Sequence, residues 1–182
     1  MPWDDTLTSQ INSLAGRWLF ADSMMVFITN TGHFLLVAAV AIPWFSRNHR
    51  KENRLLAIQC GIATALSLAI NQFILLFYHR LRPYEASLTK LMVEKSSDPS
   101  FPSDHATIAT AICASLLFQR DKWVPAYLTF SILLCFSRVY VGTHYVSDVF
   151  GGVATGIVGV RLARKSRSIW INLAQKIARF PH

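Results

Sequence analysis

The sequence predicts an all-α integral membrane protein: a helical bundle of about five transmembrane helices with an N-terminal interfacial helix. Three observations carry that prediction. The 182 residues are 52% hydrophobic and 15% charged, too apolar and too poor in charge for an ordinary soluble domain. Several long runs contain no Asp, Glu, Lys or Arg. The basic residues behind the net charge of +8 gather in short connectors between those runs. In a soluble chain that charge would point to nucleic acid; distributed this way it points to membrane topology instead. No linker divides the chain, so residues 1–182 read as one membrane-embedded domain.

Residues 6–20 alternate polar and apolar side chains too closely to span, which fits a helix lying in the interface. The acidic start, MPWDD, lacks the basic region of a removable signal peptide. Residues 23–46 are free of charge and form the first spanning candidate. Within it Asn30, Thr31, Gly32 and His33 make a polar patch, and His33 reads as a packed, hydrogen-bonded interior residue. Residues 55–78 form a second uncharged run, long enough as a helix to cross a core of roughly 30 Å. A polar connector follows over 79–103, then a short Ala-rich helix over 104–119 and a tight turn at 120–122. Residues 123–140 and 145–163 span again, the last with Gly151, Gly152, Gly156 and Gly159 as a packing face. The basic, amphipathic tail from residue 164 to 182 reads as a surface helix. Cys60, Cys113 and Cys135 sit in apolar runs, as buried free thiols do, without zinc-site spacing.

Connector 47–54, turn 120–122 and the end from Arg161 hold twelve of the 18 Lys and Arg residues. Placing those in the cytoplasm gives five alternating spans. The outer side then keeps Arg17, Arg80, Arg82, Lys90, Lys95 and Arg138, the same side as His144.

Three clusters reach that side. Phe136 to Gly152 brings Ser137-Arg138, His144 and Asp148 to the mouth of a span, where a cation, an imidazole and a carboxylate are costly unless used. If the helix has begun by His144, its four-residue spacing puts His144 and Asp148 on one face. The carboxylate can then hold one ring nitrogen and leave the other free to attack, while Arg138 offers a fork suited to phosphate. Phe101-Pro102-Ser103-Asp104-His105 precedes a helix: Ser103 fits an N-cap beside free N–H groups, and His105 fits a proton donor to a leaving oxygen. Asp104 fits a favourable acid in a first turn. The third cluster is Arg80-Leu81-Arg82-Pro83. Each cluster alone has a plain structural reading, as interfacial anchor, ordinary cap or snorkelling arginine. Their convergence on one side argues for phosphate chemistry.

Together these elements resemble the type 2 phosphatidic acid phosphatase superfamily. SRVYVGTHYVSD matches its Ser-Arg, five residues, His, three residues, Asp element; PSDH resembles its Pro-Ser-Gly-His element; and RP resembles the end of its first. The resemblance implies that His144 is the nucleophile, that Asp148 orients and charges it, and that His105 protonates the leaving group. It implies that Arg82, Ser103 and Arg138 hold the phosphate oxygens, with no metal and no cofactor. Two departures stand out. The Lys that opens the first element is here Leu75, for which Arg80 is a candidate stand-in, and Asp104 replaces Gly. FPSDH, the missing Lys and ADSMMVFITNTG look like the bacterial undecaprenyl-diphosphate phosphatases associated with bacitracin resistance. That likeness implies a polyprenyl diphosphate substrate in the bacterial plasma (inner) membrane, a site facing the periplasm or exterior, a role in recycling the cell-wall lipid carrier, and no nucleic-acid partner. The rivals are the same chemistry on phosphatidylglycerol phosphate or phosphatidic acid, a zinc hydrolase using His105, His144 and Asp148, and a transporter.

Overall fold

The computed structural model describes residues 2–46 and 49–179. Arg47 in the basic connector and the last three residues of the tail lie outside the described residues. Helix α1 (Pro2–Asn12) is followed by α2 (Leu19–Ala41), which runs into a 3₁₀ turn (Ile42–Phe45). Then come α3 (Arg50–Leu75), α4 (Asp104–Phe118), α5 (Val124–Tyr140), α6 (Val146–Lys165) and α7 (Arg167–Arg179). Three stretches are long and apolar enough to cross a membrane, Leu19–Phe45, Lys51–Leu75 and Val146–Lys165; α4 and α5 are shorter apolar helices. The fold is therefore the all-helical membrane bundle that the uncharged runs predict. The second run starts earlier than its apolar boundary, because the basic turn from Arg50 to Arg54 is already helical.

Helix α6 lies at the centre, packed on both α3 and α4. Small residues make that possible: Ala63, Ala111, Ala163 and Val160 are fully buried together. A Cβ on Gly152 would overlap the Ser103 carbonyl oxygen, so α6 and the head of α4 approach as only a glycine allows. A second cluster, including Ile28, Leu36, Ile112, Leu116 and Leu134, joins α2, α4 and α5. Large side chains such as Phe27, Phe34, Phe73, Ile132, Phe150 and Leu162 point outward and stay exposed. Such an apolar exterior is the surface a bilayer covers.

The N-terminal helix differs from expectation. It spans Pro2–Asn12 rather than 6–20, and its buried face is polar: Asp4, Thr8 and Asn12. These recur every four residues and so share one face. Asn12 donates to the carbonyls of Lys90 and Tyr140, and Thr8 accepts from the Val146 amide. Trp3 and Leu7 face outward. Helix α1 is thus clamped by hydrogen bonds across the ends of α5 and α6, with its apolar side chains on the outer surface.

Candidate active site

The Arg138 carbonyl organises the turn between α5 and α6. It accepts from the amides of Thr143 and His144 and from the Thr143 hydroxyl. Gly142 makes the turn at φ +82°, against the Lys90 carbonyl, where a side chain would both strain and collide. The chain then enters α6 through Tyr145, whose amide donates to Asp148 Oδ2 at 2.9 Å. His144 therefore precedes the helix, and the expectation that it shares a helical face with Asp148 is corrected. Its Nδ1 lies 3.6 Å from Asp148 Oδ2, beyond a good hydrogen bond, and 2.8 Å from the Ser100 carbonyl.

These neighbours determine the imidazole's tautomer. A carbonyl only accepts, so Nδ1 carries the proton. On the other side Arg82 Nη1 stands 3.4 Å from Nε2; a guanidinium only donates, so Nε2 presents a lone pair. Burial pulls the His144 pKa down to about 4, with the Arg138 and Arg82 charges adding to that and the Asp148 carboxylate opposing it. A neutral ring with its lone pair on Nε2 is the form a nucleophile needs.

Asp148 is fully buried and saturated. It accepts from the Ser100 hydroxyl at 2.5 Å, from Arg80 Nη1 at 2.7 Å and from the Tyr145 amide. Arg80 Nη2 donates to Asp4 Oδ2 at 2.7 Å, Nη1 also reaches the Ser147 hydroxyl, and the guanidinium stacks 3.6 Å from the Tyr145 ring centroid. Burial alone would lower the Arg80 pKa, but Asp4 and Asp148 more than offset it and raise it. Asp4 also accepts from the Ser147 amide and hydroxyl. The expected stand-in for the missing Lys is thus committed to two carboxylates, and Arg80 is not free to hold a phosphate. Asp104 likewise turns away, accepting from Asn71 Nδ2 at 2.6 Å.

Arg82 is positioned by the Asp98 and Thr143 carbonyls and the Ser96 hydroxyl. Arg138 donates from Nη1 to the Thr29 hydroxyl at 2.6 Å. Four buried side-chain atoms are without a partner among the described residues: Ser103 Oγ, Arg138 Nε, His33 Nδ1 and Asn71 Oδ1. Three belong to this cluster. Arg138 is on the wall of a cavity of about 840 Å³, Ser103 heads the helix that carries His105, and His33 meets His105 edge-on at 4.4 Å between ring centroids. Arg82, His105, Arg138, Thr143, Thr29 and Asn30 line the same cavity. So residues from three distant parts of the chain do converge, and Ser103 is the N-cap of α4, but its hydroxyl is not used in capping. His33 is packed yet lacks the Nδ1 hydrogen bond expected of it.

Among the described residues no three His, Cys, Asp or Glu side chains form a metal-binding group. A larger cavity of about 950 Å³ at the other end of the bundle, lined by residues such as Leu36, Val40, Leu116 and Tyr127, holds none of the motif residues. Sequence reasoning missed Ser100, Thr29 and Asp4. For Asp4 a signal existed: Asp4, Thr8 and Asn12 form a four-residue polar period in a helix whose outer side chains are apolar.

The chain is similar to known proteins over most of its length. The family model described as the PAP2 superfamily matches residues 56–170, more than half the chain. Undecaprenyl-diphosphatase BcrC of Bacillus subtilis is 35% identical over 148 residues, covering 81% of this chain and 76% of that protein. The crystal structure of Aquifex aeolicus LpxE superposes with a TM-score of 0.71 at 22% identity, covering 88% of this chain and 93% of that one. A PAP2-type phosphatidylglycerolphosphate phosphatase from Bacillus subtilis superposes at 0.63 with 26% identity, covering 99% and 88%.

Proposed function

This chain belongs to the PAP2 superfamily of phosphatases, and from that premise we propose that it hydrolyses undecaprenyl diphosphate to the monophosphate and inorganic phosphate through a phosphohistidine at His144. The observation that carries the reading is the tautomer of His144: a lone pair on Nε2, directed at Arg82 beside a cavity that also presents Arg138 and His105. The likeness to the BcrC diphosphatase supports the choice of lipid.

In this mechanism the terminal phosphate enters between Arg82, Arg138 and the Ser103 hydroxyl. Those donors meet charge developing on its oxygens without rearranging. Nε2 attacks phosphorus, the bond to the bridging oxygen breaks, and that oxygen leaves with the electron pair and takes a proton from His105. The imidazolium formed keeps its Nδ1 proton on the Ser100 carbonyl, with the Asp148 charge 3.6 Å away to stabilise it. Water then attacks phosphorus, giving its proton to His105, and the P–N bond breaks. Lipid monophosphate and inorganic phosphate are released. The chain works as one membrane-embedded domain whose site opens to the outer face of a bacterial plasma membrane, returning carrier lipid for cell-wall synthesis.

The test is phosphate release from undecaprenyl diphosphate by detergent-purified protein with excess chelator present. We expect release at the rate seen without chelator, and a loss of about 10⁴-fold or more in His144→Ala. Loss of release with chelator, restored by a divalent ion, would sink the metal-free mechanism. Full activity in His144→Ala would sink the nucleophile. A second reading, phosphatidylglycerol phosphate as substrate, is favoured by the 26% identical phosphatase of Bacillus subtilis, and a substrate panel separates the two.

A further inference from the structure

We propose that the edge of α2 bearing Asn30 and His33 is a subsite for a second phosphate, the one that stays on the lipid, and that it makes the chain select diphosphate over monophosphate headgroups. The inference rests on the phosphatase reading above and goes on to name the group that reads the substrate.

If His105 protonates the departing oxygen, the leaving group must lie against His105. The side chain packed on His105 comes from α2: His33, edge-on at 4.4 Å. Its Nδ1 is buried and without a protein partner, an arrangement that costs free energy unless a ligand supplies the missing bond. Asn30 lies one turn earlier, on the same side of the helix, and lines the cavity. A carboxamide in a spanning helix normally pairs with another helix; the Asn30 side chain instead stays exposed, on the wall of the cavity. Thr29 anchors Arg138 from the same turn, so α2 takes part in the site rather than merely enclosing it.

Charge and size point the same way. Glu94 lines the connector side of the cavity and repels an anion there, which leaves α2 as the side open to a second phosphate. At about 840 Å³ the cavity is of the size that holds a whole small ligand, far more than a lone phosphate needs. Asn30 can donate two N–H bonds to phosphate oxygens, and His33 one. A monophosphate lipid offers nothing to receive them.

The experiment measures kcat/KM of the detergent-purified full chain on a polyprenyl diphosphate and on the matching monophosphate. Wild type, His33→Ala, His33→Gln and Asn30→Ala are compared, with thermal unfolding as the folding control. We expect the diphosphate-to-monophosphate ratio to fall about tenfold in His33→Ala and in Asn30→Ala, and to recover in part in His33→Gln, which keeps a donor. Competition gives a second readout: inorganic diphosphate should inhibit wild type at lower concentration than inorganic phosphate, and His33→Ala should narrow that gap. Equal losses on both substrates, or an unmoved ratio, overturn the subsite and leave the phosphatase reading standing. Wild-type protein that shows no preference for the diphosphate overturns the diphosphate reading, and the subsite with it.

Discussion

The two walls of the candidate site differ in how far their polar atoms are paired. On the wall built by α1, the connector and α6, Asp148, Arg80, Asp4, Ser147 and Ser100 bond to one another. On the wall built by α2, α4 and α5, Ser103 Oγ, Arg138 Nε and His33 Nδ1 are buried and unpaired. A buried polar atom without a partner costs about 1–3 kcal/mol. The second wall therefore carries such a cost at each of these atoms, and Arg138, which lines the cavity, can recover its share from an incoming anion. The first wall is complete before anything binds and holds the nucleophile rigid. In the proposed mechanism the first wall holds the group that attacks, and the second carries Arg138 and Ser103, two of the groups that would receive the charge.

After His144→Ala, the largest expected effect lies on the unpaired wall. Arg138→Met removes a phosphate donor and should lower kcat/KM by about 10³-fold. It also removes a buried charge with an unpaired Nε, which offsets the loss of the Nη1 bond to Thr29, so thermal unfolding should change little. Ser103→Ala should behave the same way, with an activity loss of about tenfold. If either variant loses stability in step with activity, these atoms have structural partners and the contrast between the walls breaks.

The paired wall should respond in the opposite manner. Arg80→Gln leaves Asp4 and Asp148 facing each other with no cation between them, and should destabilise the protein by about 3 kcal/mol. Turnover should fall by about tenfold as Asp148 shifts. Adding Asp4→Asn to Arg80→Gln should cost less than the sum of the two single changes, with a coupling of about 1–3 kcal/mol in unfolding. Strict additivity would mean that the two side chains do not act as a pair.

What was legible in the sequence is the set of motifs and spans, which both walls share. The span expected over 123–140 appears as Val124–Tyr140, because a run free of charge from Trp123 to Ser137, bounded by Lys122 and a Gly turn, leaves little choice. Ser103 and His105 were legible from the helix start they occupy. What was hidden is hydrogen bonding across sequence distance. Ser100 takes the bond from His144 that spacing had assigned to Asp148, and a backbone carbonyl leaves no trace in a sequence. The N-terminal helix was placed too late, over 6–20 rather than Pro2–Asn12, because the close alternation of polar and apolar residues gives no sign that Asp4, Thr8 and Asn12 bury a polar face. Arg80 looked like a phosphate ligand since nothing in its local sequence names Asp4 as its partner, 76 residues away.

The smallest expected effect is a shift in pH dependence, and it asks how the two walls share control of His144. Burial, together with the Arg138 and Arg82 charges, holds its pKa at about 4. Protonation would occupy the Nε2 lone pair, so activity is present above the pKa and lost as pH falls through it. Between pH 7 and 5.5 kcat/KM should then drop less than about twofold, where an ordinary histidine near 6.5 would cost about tenfold. Arg82→Gln removes the cation facing Nε2 and should move the acid limb upward, alongside its loss of phosphate binding. An acid limb near 6.5 in wild type would mean that the site does not depress the His144 pKa. A limb that stays near 4 in Arg82→Gln would assign the depression to burial and Arg138, and Arg82 would then act on the phosphate without tuning the nucleophile.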